Sequence, residues 1–206
     1  MNNERSMMES EIWTHHERGE INRAAELVIR AYGDEIRGWL VGVTRDRAAG
    51  TEIYSAACED IWRGLPGFRR ESSLRTWAYR VARNAWFRYM RSLERARALE
   101  VQLDDVVART LPQADRSQTD PWLRTDVRDG MARLRGQLTP ADQMLLTLRV
   151  ERRMAWDDIA RIDAEGGEAL TLEAAKRKAT ALRQQFQRLK AKLHALAAEE
   201  GLLEAR

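Results

Sequence analysis

The amino-acid sequence predicts an all-α protein with two small helical domains joined by a flexible linker. Apolar residues recur every three or four positions along most of the 206 residues, which is the helical period. No stretch alternates apolar and polar residues as a half-buried strand does, and 4 prolines and 12 glycines are too few for a turn-rich β protein. The helical period fades between residues 98 and 119. We therefore assign an N-terminal extension to residues 1–20, a first domain to 21–97, a linker to 98–119 and a second domain to 120–200.

Three helices are predicted in the first domain. Residues 21–44 carry apolar side chains in steps of three and four, and residues 52–63 repeat the pattern over a shorter stretch. The glycine- and proline-containing segment 64–67 stops the second helix. A third helix begins after the serine pair at 72–73 and runs to about Leu93.

The second domain has clearer start signals for its helices. Asp120 and Pro121 are an N-cap and a first-turn proline, and Thr139 with Asp142 forms a capping pattern before a short helix. Another short helix covers residues 155–162, and a turn occupies 163–168. A long final helix starts after Thr171 and runs to about residue 198.

The final helix carries a strict heptad seam, which has two interpretations. A coiled coil is one, but five of the six positions flanking the seam are cationic and none is acidic, so two parallel copies would repel. We favour packing of the seam on the short helices before it. The outer side is then free to contact duplex DNA, as the second helix of a helix-turn-helix does. The seam consists of Leu172, Ala175, Ala179, Leu182, Phe186, Leu189, Leu193 and Leu196.

Composition excludes several classes of protein. No apolar run approaches the roughly 18 residues of a membrane span, and residues 1–20 lack the layout of a signal peptide, so we expect a cytoplasmic protein without membrane insertion. One cysteine, Cys58, and three histidines give neither a disulfide framework nor a metal-ligand spacing. Phosphate-binding glycine loops and a recognisable nucleophile–base set are absent. We therefore expect no enzyme activity, no cofactor and no metal.

Basic residues are concentrated in two places. Residues 69–91 hold seven arginines and one glutamate, and residues 174–198 hold seven cations and no acid, although the net charge of the chain is only +3. Two such clusters predict two contacts with a polyanion. Aromatic residues are interleaved with the first cluster, a combination that suits an unpaired nucleic-acid strand. In the alternative interpretation the tryptophans form the core and the arginines a solvated face.

The residues of these clusters carry a family resemblance. Segment 68–84, "FRRESSLRTWAYRVARN", closely resembles region 2 of the bacterial sigma-70 family, in its extracytoplasmic-function group. Segments 138–162, "LTPADQMLLTLRVERRMAWDDIARI", and 181–193, "ALRQQFQRLKAKL", look like region 4 of that family. Region 3 is absent, as in this group. The resemblance extends over about residues 21–196.

The resemblance implies a transcription initiation factor that binds the clamp and flap regions of core RNA polymerase and directs the enzyme to promoters. Region 4 reads the −35 element as duplex, and region 2 opens the −10 element by capturing a flipped non-template base. Many members are held inactive by an anti-sigma factor, and the sequence leaves open whether this chain has one. The residues implied for the −10 element are Phe68, Arg69, Arg70, Glu71, Ser72, Arg75, Trp77, Arg80, Arg83, Asn84 and Arg88. Those implied for the −35 element are Arg183, Gln184, Gln187, Arg188 and Lys190, and those for core polymerase are Glu52, Ile53, Glu59, Asp60 and Trp62.

The chain departs from the family pattern in places. Ser55 and Ala56 stand where the polymerase-binding helix usually carries a glutamine and an acid, and Arg88 stands where an acid is common. The segment 163–180 before the recognition helix is longer than usual. Two rival functions remain: a helix-turn-helix regulator that acts without polymerase, and a coiled-coil interaction protein that uses the seam over 172–196.

Overall fold

The computed structural model describes residues 2–104, 134, 137–164 and 170–199, with side chains described from residue 7 onward and, in the first range, up to residue 96. The chain divides into two compact units, Met1–Arg116 and Ser117–Arg206. All regular structure in the described ranges is helical, which confirms the predicted all-α fold with two helical domains. No helix in these ranges is both long enough and apolar enough to cross a membrane.

The described part of the first unit contains four helices: α1 (Asn2–Glu17), α2 (Ile21–Thr44), α3 (Arg47–Gly64) and α4 (Leu74–Asp104). A short 3-10 turn, Leu65–Gly67, follows α3. Two of these bounds differ from the sequence prediction. The helix α1 lies in what we assigned as an extension, and α4 continues past Leu93 into the predicted linker. The remainder of the linker and most of the helix predicted from Pro121 fall outside the described residues.

Helices α2 and α3 form a close antiparallel hairpin. The Asp46 side chain caps α3 by accepting hydrogen bonds from the backbone N–H groups of Ala48 (2.7 Å) and Ala49 (3.1 Å). A Cβ atom at Gly50 would lie 2.7 Å from the Cα of Val41, so only glycine permits this approach of the two backbones.

Large aromatic side chains from α2 and α4 fill the core of the first unit. The Trp39 ring centroid lies 5.4 Å from that of Tyr79 and 6.3 Å from that of Trp86. All three side chains are fully buried. Burial on this scale fixes the orientation of α4, and hence decides which of its arginines reach the surface.

The second unit contains α5 (Pro140–Leu146), α6 (Trp156–Ile162) and α7 (Leu172–Glu199), with a π-helical turn, Thr147–Glu151, after α5. Two of the predicted caps lie in the described residues and are present, whereas Asp120 lies outside them. Thr139 Oγ1 accepts a hydrogen bond from the backbone N–H of Asp142 (3.2 Å), and Thr171 Oγ1 accepts one from that of Ala174 (3.3 Å). Most of the predicted turn at 163–168 lies outside the described residues.

Candidate nucleic-acid interface

The seam of α7 packs within its own unit. Ala175, Ala179, Leu182 and Leu189 are buried, and α7 contacts both α5 and α6. The Phe186 ring meets the Trp156 ring of α6 edge-on, with centroids 5.5 Å apart. The seam is thus covered by neighbouring helices, which is the packing that we favoured over a coiled coil. Leu172 departs from the pattern, because it is 61% exposed.

The outer side of α7 presents unpaired polar and cationic side chains. Arg183, Gln184, Gln187 and Arg188 are exposed, and no hydrogen bond or ion pair involves their side chains within the described residues. Guanidinium and amide groups arranged this way can read base edges or hold phosphates. Lys190 differs, because its ammonium lies 5.9 Å from the Phe186 ring centroid.

The aromatic–arginine segment of α4 is more buried than its sequence suggests. Trp77 is 5% exposed and Arg83 6%, and Phe68, in the loop before α4, is 9% exposed. Phe68 and Trp77 pack on each other with ring centroids 5.0 Å apart, and Arg83 lies 4.3 Å from the Phe87 ring centroid. Trp77 is thus packed in the core of the first unit, and its role at the −10 element stays a prediction. The alternative interpretation of the tryptophans as core holds for Trp77 and Trp86.

Three of the predicted strand-binding arginines are held in ion pairs: Arg70 with Glu17 of α1, and two that join α4 to other helices. Arg75 Nε donates to Glu35 Oε1 of α2 (3.0 Å), which also accepts a hydrogen bond from the Tyr79 hydroxyl (3.0 Å). Arg88 pairs with Asp60 of α3. Both pairs join elements distant in sequence, so the sequence could not reveal them. Their first effect is to fix α4 against α2 and α3.

A smaller set of residues remains available beside α4. Arg69 is exposed, and neither it nor the half-buried Asn84 makes a side-chain hydrogen bond or ion pair within the described residues. The other predicted residues here differ, because each has an intramolecular partner: Ser72 and Arg80, which are half-buried, and Glu71, which is exposed. A half-buried amide with both its donor and its acceptor unused is suited to reading the edge of a base.

The loop between α3 and α4 is covered by α1, which the sequence did not lead us to expect. The Trp13 ring of α1 stacks on Phe68, with centroids 5.7 Å apart and planes 19° apart. Arg70, whose backbone is in the left-handed region (φ 58°), lies with its guanidinium carbon 4.0 Å from the Trp13 ring centroid. Gly19 follows α1 and has φ 74°, a left-handed conformation that is common just after the end of a helix. A glycine at this position is the signal in the sequence that could have indicated a helix here.

The predicted polymerase-binding residues of α3 divide between surface and core. Glu52, Glu59 and Trp62 are exposed and Asp60 is half-buried, whereas Ile53 is 1% exposed and belongs to the core. A side chain at 1% exposure offers a partner little surface, so the assignment of Ile53 as a contact residue stays a prediction that its burial does not support.

Trp62 borders an apolar groove of about 410 Å³ on this face. Its indole N–H donates to Asn22 Oδ1 (3.2 Å), and the ring is 41% exposed. Burial raises the pKa of the Cys58 thiol, which therefore stays protonated at neutral pH. The groove is thus a neutral apolar surface with a charged rim. Its lining residues are Ile29, Cys58, Glu59, Trp62 and Arg63.

Comparison with known proteins agrees with the resemblance read from the sequence. Residues 28–96 match the family model of sigma-70 region 2. Among solved structures, the fold is similar to that of the sigma factor RpoE from Bartonella quintana, determined in complex with the anti-sigma factor NepR. The two chains are 18% identical with a TM-score of 0.56, over 87% of this chain and 97% of that one. No curated protein matches the chain. The region 2 match lies within the first unit, and the similarity to RpoE is a similarity of fold.

Proposed function

We propose that this chain is a sigma factor of the sigma-70 family, in its extracytoplasmic-function group, which binds core RNA polymerase through α3 and holds promoter DNA at two separate places. The −35 element is held as duplex on the outer side of α7, and the melted −10 strand is held beside α4 and the loop before it. The observation that carries the proposal is that each unit presents side chains that make no hydrogen bond or ion pair within the described residues: Arg69 and Asn84 beside α4, and Arg183, Gln184, Gln187 and Arg188 on α7. The corresponding domains are residues 21–97 for core polymerase and the −10 element, and 120–200 for the −35 element.

The two surfaces suit different states of DNA. α7 is a long, regular helix whose exposed cations and amides lie on one side, as entry into a major groove requires. Beside α4 the available groups are instead a half-buried amide and a loop with arginines and an aromatic ring, which suit a single flipped base. The first surface can locate a promoter as duplex, and the second can stabilise it once opened.

Core polymerase is proposed to dock on the exposed face of α3. An exposed tryptophan beside an apolar groove, with Glu52 and Glu59 close in sequence, has the anchor-and-rim composition of protein interfaces. The clamp and flap regions of the enzyme are the proposed partners. The complex of the Bartonella protein with NepR supports an anti-sigma factor as a further partner for this chain.

Trp62→Ala is expected to weaken co-elution with core RNA polymerase, with about a tenfold rise in Kd, because interface tryptophans are often the residues on which binding depends most. The fold should persist, since this ring is 41% exposed. Gel filtration with purified core enzyme at low salt measures the effect, and Arg95→Ala, on the exposed part of α4, is the control. If the wild-type chain fails to co-elute at all, the polymerase-dependent function is wrong, and a regulator acting without polymerase becomes the better hypothesis.

Arg183→Ala and Arg188→Ala are each expected to weaken binding to −35 duplex DNA by about 1–3 kcal/mol and to change sequence preference, if they read bases. Lys192 is the comparison residue, because its ammonium lies 3.4 Å from the Gln137 carbonyl oxygen. Lys192→Ala should weaken binding less, and equally for all sequences. Fluorescence anisotropy with a selected promoter and a scrambled duplex separates the two behaviours. Normal DNA binding in both arginine variants would remove α7 from the proposed interface.

A further inference from the structure

Helix α1 is docked on the loop that we propose captures the promoter strand. Three side chains make the contacts: Trp13, and His16 and Glu17, which follow it by three and four residues and so lie one turn further along the same face of α1. His16 Nε2 donates to the Leu65 carbonyl oxygen (3.0 Å), and Glu17 Oε1 accepts from Arg70 NH2 (2.7 Å). The last turn of α1 therefore touches the loop at both of its ends.

The Trp13 indole is in contact with the same two kinds of group that stack on unpaired bases in protein–nucleic-acid complexes. Its neighbours are the Phe68 ring, stacked at 5.7 Å, and the Arg70 guanidinium, 4.0 Å from its centroid. An aromatic ring and a guanidinium are the two groups on which proteins stack splayed-out bases. The indole is itself a flat, fused heteroaromatic ring of nearly purine size. The surface formed by Phe68 and Arg70 thus already holds a planar group.

We propose that Phe68 and Arg70 form the stacking surface for the captured promoter base, and that Trp13 occupies this surface until the strand displaces it. The inference rests on the proposed strand capture and adds to it a built-in competitor. Free sigma factor would then hold unpaired DNA weakly, because the last turn of α1 must leave before a base can stack.

Electrostatics favours displacement over a permanent role of α1 in the strand site. Glu17 neutralises Arg70, the cation of this surface, and its carboxylate would face the phosphates of a bound strand. An acidic side chain next to the bound phosphates would repel them, so α1 is poorly suited to be a permanent part of a DNA-binding surface. The pair is solvent-exposed on both sides, at 49% and 65%, so it is weak enough to break on binding.

The chain provides a place for the movement. Gly19 follows α1 with φ 74°, and a Cβ atom there would have no atom beyond its two chain neighbours within 4 Å. The turn after α1 therefore has open space around it. Further back, Ile12 is fully buried and Glu9 accepts a hydrogen bond from the Tyr32 hydroxyl of α2. Residues 13–17 can therefore separate from the loop by unwinding the last turn while the rest of α1 stays on α2.

The test measures binding of single-stranded DNA by holoenzyme assembled from the full chain and core polymerase. The probe is a fluorescein-labelled pool of random 12-mers, with core polymerase alone as the background. Glu17→Gln frees Arg70 and should tighten binding about two- to fivefold, the range of an exposed ion pair. Glu11→Gln makes the same charge change on α1, where Glu11 faces His15 and not the loop, and should leave binding unchanged. Trp13→Ala should tighten binding about tenfold, the range of a lost stacking and cation–π contact.

The sign of the effect decides the inference. Tighter binding in Glu17→Gln and Trp13→Ala supports displacement, whereas equal or weaker binding in Glu17→Gln overturns it and makes α1 a permanent support of the loop. If thermal melting shows that Trp13→Ala does not fold, Trp13→Phe replaces it. Its affinity for the single-stranded DNA pool should lie between that of the wild type and that expected for Trp13→Ala. Failure of strand capture itself has a different signature: wild type and all variants would bind the pool no better than core polymerase alone.

Discussion

Asn84→Ala is expected to reduce open-complex formation about ten- to hundredfold while leaving core-polymerase binding and −35 duplex binding unchanged. Asn84 is half-buried on α4, and its amide makes no hydrogen bond within the described residues. A flipped base loses its pairing partner and needs a new donor and acceptor, which one amide supplies. Leaving that base edge unsatisfied costs about 1–3 kcal/mol, which corresponds to the expected change in rate.

Permanganate reactivity of unpaired thymines around the −10 element measures the opening. Asn84→Asp is the matched variant, since it keeps the shape of the side chain but removes the donor and adds a charge, and it should be impaired as well. Gel filtration with core polymerase shows that assembly is intact. Should Asn84→Ala open a weak promoter as well as the wild type does, no base is read here, and this side of α4 contacts only phosphates.

The final helix shows how much of the architecture local spacing can predict. Its seam repeats every three and four residues, and the charges beside it argued against a second copy as the covering surface. The structure places that seam against α5 and α6. Both the helix and its exposed face, with Arg183 and Arg188, could therefore be predicted from residues that lie close together in the sequence.

The aromatic–arginine segment shows where such reasoning ends. Spacing along α4 places Trp77, Arg80 and Asn84 on one face, but it does not reveal what covers that face. Trp77 is buried because Phe68 packs on it and Trp13, in α1, packs on Phe68. The covering helix comes from a segment with little apolar periodicity, and only Gly19 marked its end.

Ion pairs between distant helices are hidden from sequence for the same reason. Arg75 faces Glu35 across 40 residues, and Arg88 faces Asp60 across 28. Each arginine resembles a DNA-binding residue in the sequence, yet in the folded chain each has an acidic partner. The residues of the candidate −10 surface without a partner in the described residues are therefore Arg69 and Asn84, whereas Arg70 is paired with the exposed Glu17.

Trp77→Ala is expected to destabilise the first unit by about 3–5 kcal/mol, because truncating a buried tryptophan removes its burial and leaves a cavity. The ring lies against Phe68, and a Cβ at Gly64 would come within 3.3 Å of it, so the site is tightly packed on both sides. Trp77→Phe keeps an aromatic ring in contact with Phe68, so it should reduce the free energy of unfolding by less than Trp77→Ala does. Urea unfolding of the full chain, followed by circular dichroism, measures both, with the transition of the first unit fitted separately because two units need not unfold together.

The same pair of variants tests whether Trp77 supports the strand site or contacts the strand. If the ring acts through packing, Trp77→Phe should bind single-stranded DNA as holoenzyme about as well as the wild type, once both are compared at a temperature where both are folded. Trp77→Ala should then lose strand binding in proportion to its loss of folded protein, as the loop carrying Phe68 and Arg70 loses its support. The contrary result is a Trp77→Ala chain with wild-type unfolding free energy and no strand binding. It would mean that the ring leaves its packed position to stack on DNA, because only a direct contact could be lost without any change in stability.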